Sequence, residues 1–562
     1  MKKRIVIAEY MSTGFNFVAD IISRGYEPVL LECKIPNDHH LIDHTLEVRE
    51  SLKARLPKDI TVIPFNEDYN VILEQVRAVD PILIIPGNDF GVPYSCRLSA
   101  DLGLLGNPVD RIPYMTRKDM MHQALKEHGL RYIRGKNVTS EEEALAWYEE
   151  LDVQSVVVKR VVGLASTGVY LCNNKEDMLR VVRREFAFSL ENTGKIEPLL
   201  IQEMINGSEF IVNTVSCQGR HRMVSLWEYE KMRLPSGTNA YIATNTINRL
   251  GIGHSRLISY AFDVADAIGV QYGAVHGEFM VDEKGPVLIE VNCRPIGLNL
   301  DRKYLERLFG HHETDCILDS YLDPHRFQED ARRPYRPLST GTIKNFVLPK
   351  DMTTESAPII SICRSLKSYY SASFPHLGRT SRLHATTDLF SSVGTVYLQH
   401  ADPMAVQADR ELLHNLEINY PDLLFQNSSG LPTPEHVKRN IQDVIAMLNN
   451  VSNTLVFTDS DEPIPGVVSV REDQIKNAYD SYEFGILDLS KPESFGDLEI
   501  VIRQIYEFTD KIRVGGYIII PESTYCHIPY GMEGMEILLQ IAGLTIEAPR
   551  TDLKHTLIAS VG

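Results

Sequence analysis

At 562 residues the chain is too long for one hydrophobic core, and its 43% hydrophobic and 23% charged residues are those of an ordinary globular protein. A formal net charge of −18 excludes a broad nucleic-acid surface, which needs clustered Lys and Arg, but not a nucleotide held in a local basic pocket. The eight cysteines are scattered without a Cys-x-x-Cys pair, no apolar run reaches membrane-spanning length, and the first apolar run breaks at Glu9. The expectation is a cytoplasmic protein with no disulfide framework, zinc site, signal peptide, membrane or nucleic-acid partner.

Residues 1–110 alternate strand and helix signals in the manner of an open α/β sheet. Arg4–Ala8 reads as a strand, Gly14–Ser23 as a helix, Glu27–Glu32 as a second strand and Pro81–Pro86 as a buried one. The loop Gly87-Asn-Asp-Phe-Gly-Val-Pro93 follows, at a carboxyl strand end where ligands bind in such sheets. Met11-Ser-Thr-Gly lacks the spacing of a dinucleotide fingerprint. Helical periodicity resumes at Thr116 and stops at Gly129.

A smaller α/β unit comes next, with a helix over Ser140–Leu151 and the strand Ser155-Val-Val-Val-Lys-Arg160. Lys159 closes that β-branched run, and the small-residue loop Val162–Val169 leads into a strand at Val169–Cys172. Backbone N–H groups of such a loop can approach phosphates while a lysine neutralises them, although an edge lysine beside an ordinary turn fits the same pattern. After a helix over about 175–188, the strand Leu199-Leu-Ile-Gln-Glu restarts beyond Gly207, with Glu209 just inside the second run. An acid there can accept hydrogen bonds from a ribose diol or simply face solvent. Glu228–Tyr241 follows a strand and is rich in turn formers; it reads as a lid in which Lys231 and Arg233 either bind a substrate carboxylate or lie on the surface.

Two apolar runs then flank Asp282-Glu-Lys-Gly285, which reads as a hairpin turn. Side chains alternate across a strand, so His276, Glu278 and Met280 share one face of the first run, and Glu290, Asn292 and Arg294 share one face of the second. Where those faces meet, Glu278, Glu290 and Asn292 supply hard oxygen ligands and Arg294 a phosphate or carboxylate donor. Mg²⁺ prefers a few such oxygens plus phosphate and water to an all-protein cage. Glu290 and Asn292 also sit in an otherwise apolar strand, where unpaired charge is costly.

In order and spacing these stretches resemble the ATP-grasp superfamily of carboxylate–amine or carboxylate–thiol ligases over residues 1 to about 430, and within it the bacterial L-amino acid ligases that form dipeptides. The resemblance implies an α/β ATP-grasp fold: a Rossmann-like preATP-grasp domain over 1–112, a small lid over 113–228 and a large antiparallel catalytic subdomain over 229–430. It implies that Lys118 and Lys159 contact ATP phosphates beneath a closing Gly163–Gly168 loop that includes Ser166. Gln202, Glu203 and Ile205 would take adenine, Glu209 the ribose, and Glu278, Glu290 and Asn292 Mg²⁺, with Mn²⁺ as a substitute. Arg294 and Lys159 would act on the transferred phosphate. The implied reaction joins a small carboxylate and an amine through an acyl-phosphate, with a peptide acceptor or a non-catalytic ATP-binding role as alternatives, in an expected homodimer. The chain departs from the plainest family pattern in a long extension over about 300–430 containing Arg332-Arg-Pro-Tyr-Arg-Pro.

Beyond Leu431-Pro-Thr-Pro, which reads as a linker, alternating elements return over 431–562: a helix at about 435–448, strands at Thr454, Phe484 and Gly515, and a closing pair at Leu544 and Thr556. They resemble the second half of a Rossmann-like methyltransferase, with Arg513-Val-Gly-Gly-Tyr where that family turns into a strand. No Gly-rich turn follows a first strand, so the reading is a degenerate α/β module for packing, dimerisation or docking, with a catalytic methyltransferase as the alternative.

Overall fold

The computed structural model describes residues 2–35, 39–161, 168–234, 239–298, 300–354, 358–375, 377, 381–386, 391–425, 454–458, 467–470, 474–475, 482–489, 498–525, 528–547 and 556–561. These form two compact units, Met1–Thr342 and Ile343–Gly562.

The first unit opens with a parallel sheet built from β1 (Arg4–Ala8), α1 (Asn16–Ser23), β2 (Glu27–Leu31), α2 (His39–Lys53), β3 (Thr61–Ile63), α3 (Tyr69–Ala78), β4 (Pro81–Pro86) and α4 (Gly91–Asp101). The strand order is β3-β2-β1-β4. Ile5 and Ile7 enter one core and Val6 and Ala8 the other, the period-two signature of a strand covered on both faces. The chain passes from β1 to β2 on one side and pairs with β4 on the other, which makes the carboxyl ends of β1 and β4 the switch point where such sheets bind ligands. The two loops there interlock: a Cβ on Gly87 would lie 2.0 Å from the Glu9 carbonyl oxygen, and one on Gly91 1.9 Å from that of Ala8. The loop expected over Gly87–Pro93 is shorter than its composition suggests. Helix α4 starts at Gly91, and Pro93 sits in its first turn, where a missing N–H costs little.

Helices α5 (Ile112–Thr116) and α6 (Lys118–Glu127) lead to the lid: β5 (Gly135–Val138), α7 (Glu141–Leu151), β6 (Val156–Arg160), β7 (Val169–Cys172), α8 (Lys175–Thr193) and β8 (Leu199–Glu203). Its sheet runs β5-β8-β6-β7, and Ser140 caps α7 by accepting from the Glu143 N–H. The chain leaves this sheet at Glu203 and enters another at β9 (Ser208–Cys217), so the lid ends near 203 rather than 228. Gly207 makes the crossing possible, since a Cβ there would stand 2.2 Å from the Val281 carbonyl oxygen.

The larger sheet of the first unit is carried by β9, β10 (Arg220–Arg233), β11 (Asn239–Thr246), β12 (Tyr272–Asp282) and β13 (Gly285–Asn292), in the order β13-β12-β9-β10-β11. Helix α9 (Ile252–Ile268) packs behind it: Leu257, Ala261, Val264 and Ile268 meet Phe279, Leu288 and Val291 in one core. The segment expected to be a lid, Glu228–Tyr241, is sheet instead. Trp227–Arg233 pairs with Asn239–Thr246, and the tip at 235–238 lies outside the described residues. Aromatic residues at 227, 229 and 241 favour that outcome over a loop.

In the second unit, Phe346, Ile359, Leu398 and Leu413 share one core with Leu455, Ile505, Ile518 and Leu538. The part of the extension from Ile343 on therefore belongs with the C-terminal segment, while 300–342 stays with the first unit, and the two units divide at 342/343 where the sequence suggested about 430. The strands Val468–Val470, Thr454–Thr458, Tyr482–Asp488 and Ile512–Pro521 are parallel neighbours in that order, and Thr556–Val561 runs antiparallel between the last of them and Leu544–Ile546. The linker at Leu431 and the helix expected over 435–448 lie outside the described residues. Among the described residues no helix is long and apolar enough to cross a membrane.

Candidate nucleotide and metal site

The β12–β13 hairpin places its acids as the alternation requires: Glu278 stands opposite Glu290 and His276 opposite Asn292, with a bulge after Glu278 that keeps both acids in register. Like charges directly opposite repel. The repulsion is relieved by Lys118, the first residue of α6, whose Nζ lies 2.7 Å from Glu290 Oε2. Burial disfavours the charged form of each partner, but their mutual attraction wins. Lys118 is held above, and Glu290 below, its usual range.

Lys159 on β6 is 4% exposed, and burial followed by repulsion from Lys118 brings its ammonium down to about 8. His122, one turn after Lys118, is kept neutral by burial and then by Lys159, which push it down to about 3. A base that titrates near 8 takes up a proton when an anion binds beside it. Titration of ATP at pH 8 is therefore expected to show proton uptake, read from calorimetric heats in buffers of different ionisation enthalpy, and affinity should fall from pH 7 to 9. Lys159→Met should abolish the uptake; equal uptake in that variant would place the titrating group elsewhere.

Glu278 Oε1 meets two groups at 3.3 Å, the Tyr229 hydroxyl, which donates to it, and His276 Nε2. Glu209, expected at a ribose, is buried, and burial lifts its carboxyl despite Lys231, whose Nζ donates to Oε2 at 2.6 Å. Lys231 also lies over the Tyr241 ring at 4.3 Å. It is thus committed within β10 rather than presented on a loop, while Arg233 is exposed near the end of the same strand.

Arg294 lies just beyond β13. Its Nε donates to Asp89 Oδ2 at 2.9 Å and its Nη1 to the Pro295 carbonyl at 3.0 Å. Asp89 belongs to the loop after β4, so the switch point of the first sheet and the acidic hairpin form one site. Asn292 Nδ2 approaches Glu290 Oε1 at 3.5 Å. The Thr13 hydroxyl donates to the Gly297 carbonyl at 2.9 Å, tying the loop after β1 to the segment that follows Arg294.

At the crossing between lid and large sheet, Gln202 is buried and its Nε2 has no hydrogen-bond partner among the described residues. The Glu203 carboxylate is taken by Arg134, accepting from its backbone N–H at 2.9 Å and from its guanidinium, and Ile205 is half-buried. Gly168 is buried with φ +73, a conformation that favours glycine; Ser166 lies outside the described residues. Sequence reading alone missed Asp89, His122 and Tyr229 as individual members. Only His122 carried a signal, its spacing of one turn from Lys118 on the same helix face.

The residues suit a nucleotide with a divalent cation. Two carboxylates, with the Asn292 amide beside Glu290, share the site with Lys118, Lys159 and Arg294, and an orphaned amide N–H at the hinge matches a base. Among the described residues no three His, Cys, Asp or Glu side chains gather as a metal cage, so the cation would take further ligands from phosphate and water.

Residues 153–300 match the family described as the ATP-grasp domain. The chain is 24% identical over 339 residues to dapdiamide A synthase of Enterobacter agglomerans, covering 59% of this chain and 77% of that protein. It is 27% identical over 301 residues to the N-terminal section of the carbamoyl phosphate synthase large chain of Methanopyrus kandleri, covering 50% of this chain and 49% of that one. In structure it is similar to an L-amino acid ligase from Bacillus licheniformis, with a TM-score of 0.59 at 16% identity over 74% of this chain and 97% of the other.

Proposed function

We propose that this chain, an ATP-grasp ligase, joins a small carboxylate, such as an amino acid, to an amine with release of ADP and phosphate. The observation that carries this reading is the convergence of Glu278 and Glu290 with Lys118 and the Asp89-anchored Arg294.

The substrate carboxylate attacks the γ-phosphorus of ATP and ADP departs. The amine nitrogen then attacks the acyl carbon, phosphate leaves, and the nitrogen gives up a proton. Phosphoryl transfer demands mainly positioning and neutralisation, so no protein nucleophile is required. Lys118 and Lys159 would bind and orient the phosphates; Arg294 would meet the transferred group. Gln202 and Ile205, with the backbone of Glu203, would receive the adenine, and Glu209 the ribose once Lys231 yields. The loop over 163–168, with Ser166 and Gly168, would exclude water from the acyl-phosphate. Glu278, Glu290 and Asn292 would hold Mg²⁺ or Mn²⁺, which when bound neutralises phosphate oxygens and the charge developing between them.

The second unit is proposed as a non-catalytic module for packing or dimerisation in a cytoplasmic homodimer. Incubation with ATP, Mg²⁺ and pooled amino acids, followed by mass spectrometry, should yield ADP, phosphate and a product equal to two substrates less one water. ATP hydrolysis without any condensed mass, across pooled amino acids and amines, would reject ligation of this substrate class.

A further inference from the structure

We propose that Tyr229 and His276 are positioning residues that set which cation the site accepts, by occupying one oxygen of Glu278 and leaving the other. The inference rests on the reading of Glu278 as a metal ligand.

Both partners of Glu278 approach the same atom: the Tyr229 hydroxyl and His276 Nε2 each lie 3.3 Å from Oε1, while Oε2 has no hydrogen-bond partner among the described residues. Neither contact is loosely held. His276 Nδ1 lies 2.8 Å from Asn213 Oδ1, Asn213 Nδ2 donates to Ser225 Oγ at 2.8 Å, and the Trp227 indole N–H donates to that same oxygen at 3.0 Å. Asn213 and Trp227 are 0% exposed, His276 4% and Ser225 6%, so this chain of contacts cannot relax without leaving a buried polar group unpaired. The Tyr229 ring is fixed separately, packed edge-on against Tyr241 at 4.5 Å between centroids. Glu290 differs in having a partner at each oxygen, Lys118 at 2.7 Å from Oε2 and Asn292 Nδ2 at 3.5 Å from Oε1, so the one-sided arrangement belongs to Glu278.

A carboxylate held in this way offers a cation one oxygen rather than two. Mg²⁺ needs only single oxygens in an octahedron completed by water and phosphate. Ca²⁺ gathers six to eight oxygens at longer distance and often takes both oxygens of a carboxylate. Occupying Oε1 therefore weakens the site for the larger ion, and outer partners of a ligand commonly change metal affinity 10- to 100-fold.

The test is calorimetric titration of the full chain with MgCl₂ and with CaCl₂, each in the presence of a non-hydrolysable ATP analogue. Tyr229→Phe, which removes one hydroxyl and keeps the ring, should raise Ca²⁺ affinity relative to Mg²⁺ by about 10-fold. Tyr229→Phe combined with His276→Leu should raise it further, whereas His276→Gln, which keeps a polar group of similar reach beside Oε1, should stay near the parent ratio. An unchanged ratio in Tyr229→Phe overturns the proposal, and that single variant decides the matter if the double variant does not fold. Glu278→Gln separates the two readings. Weaker binding of both cations in that variant supports the metal site, so an unchanged ratio in Tyr229→Phe then rejects only the selectivity role. Unaltered binding in Glu278→Gln rejects the metal site itself.

Discussion

Glu290→Gln is expected to lower ATP turnover by about 10³-fold or more while the protein still folds. The substitution preserves shape and an acceptor oxygen but removes the charge on which two neighbouring lysines depend. Lys118, 2.7 Å away, loses its principal counter-charge, and Lys159 loses an attraction that resists its deprotonation. Repulsion between two carboxylates opposed across the hairpin disappears at the same time. For folding these changes oppose one another: a buried cation left without its partner is destabilising, and relief of like-charge repulsion is stabilising. Thermal unfolding should therefore shift modestly, whereas catalysis has no such offset. ADP release by a coupled assay, alongside a melting curve, checks both parts. Turnover within a few-fold of the parent would show that the hairpin is not where the phosphates and cation are held.

What was legible in the sequence was local. Alternation put Glu278 and Glu290 on faces that meet, the four-residue turn set the hairpin, and Gly129 and Ser140 marked helix ends; each depends on residues a few positions apart. Long-range pairing was not legible. Asp89 is 205 residues from Arg294, and nothing near either one announces the contact. Lys231 read as a free loop cation because the turn formers around 235–238 outweighed the aromatic strand residues before them, and only the sheet shows it paired with Glu209. The boundary at 342/343 escaped for the same reason. The extension looks like an appendage of the catalytic part until Phe346 and Leu413 are seen in one core with Leu455 and Leu538. A proline-rich stretch marks a break in secondary structure, but cores decide units, and cores form from residues hundreds of positions apart.

Arg294→Lys is expected to reduce kcat by about 10²- to 10³-fold while the KM for ATP stays within a few-fold of the parent. In the folded chain the guanidinium is already divided, with Nε to Asp89 at 2.9 Å and Nη1 to the Pro295 carbonyl at 3.0 Å, so its remaining N–H groups are aimed by those two anchors. A lysine has one compact charge. It can pair with Asp89 or reach the transferred phosphoryl oxygens, but cannot hold the planar geometry that does both. Because Lys118 and Lys159 remain to hold the nucleotide, the loss should fall on the step in which the phosphoryl group moves and not on ATP binding. Asp89→Asn is the milder companion: it weakens the anchor without removing the guanidinium and should cost about 10-fold, again in kcat. If Arg294→Lys instead raised the KM for ATP and spared kcat, Arg294 would belong to ground-state nucleotide binding. The loop after β4 would then serve to place the nucleotide and not the acceptor of its phosphate.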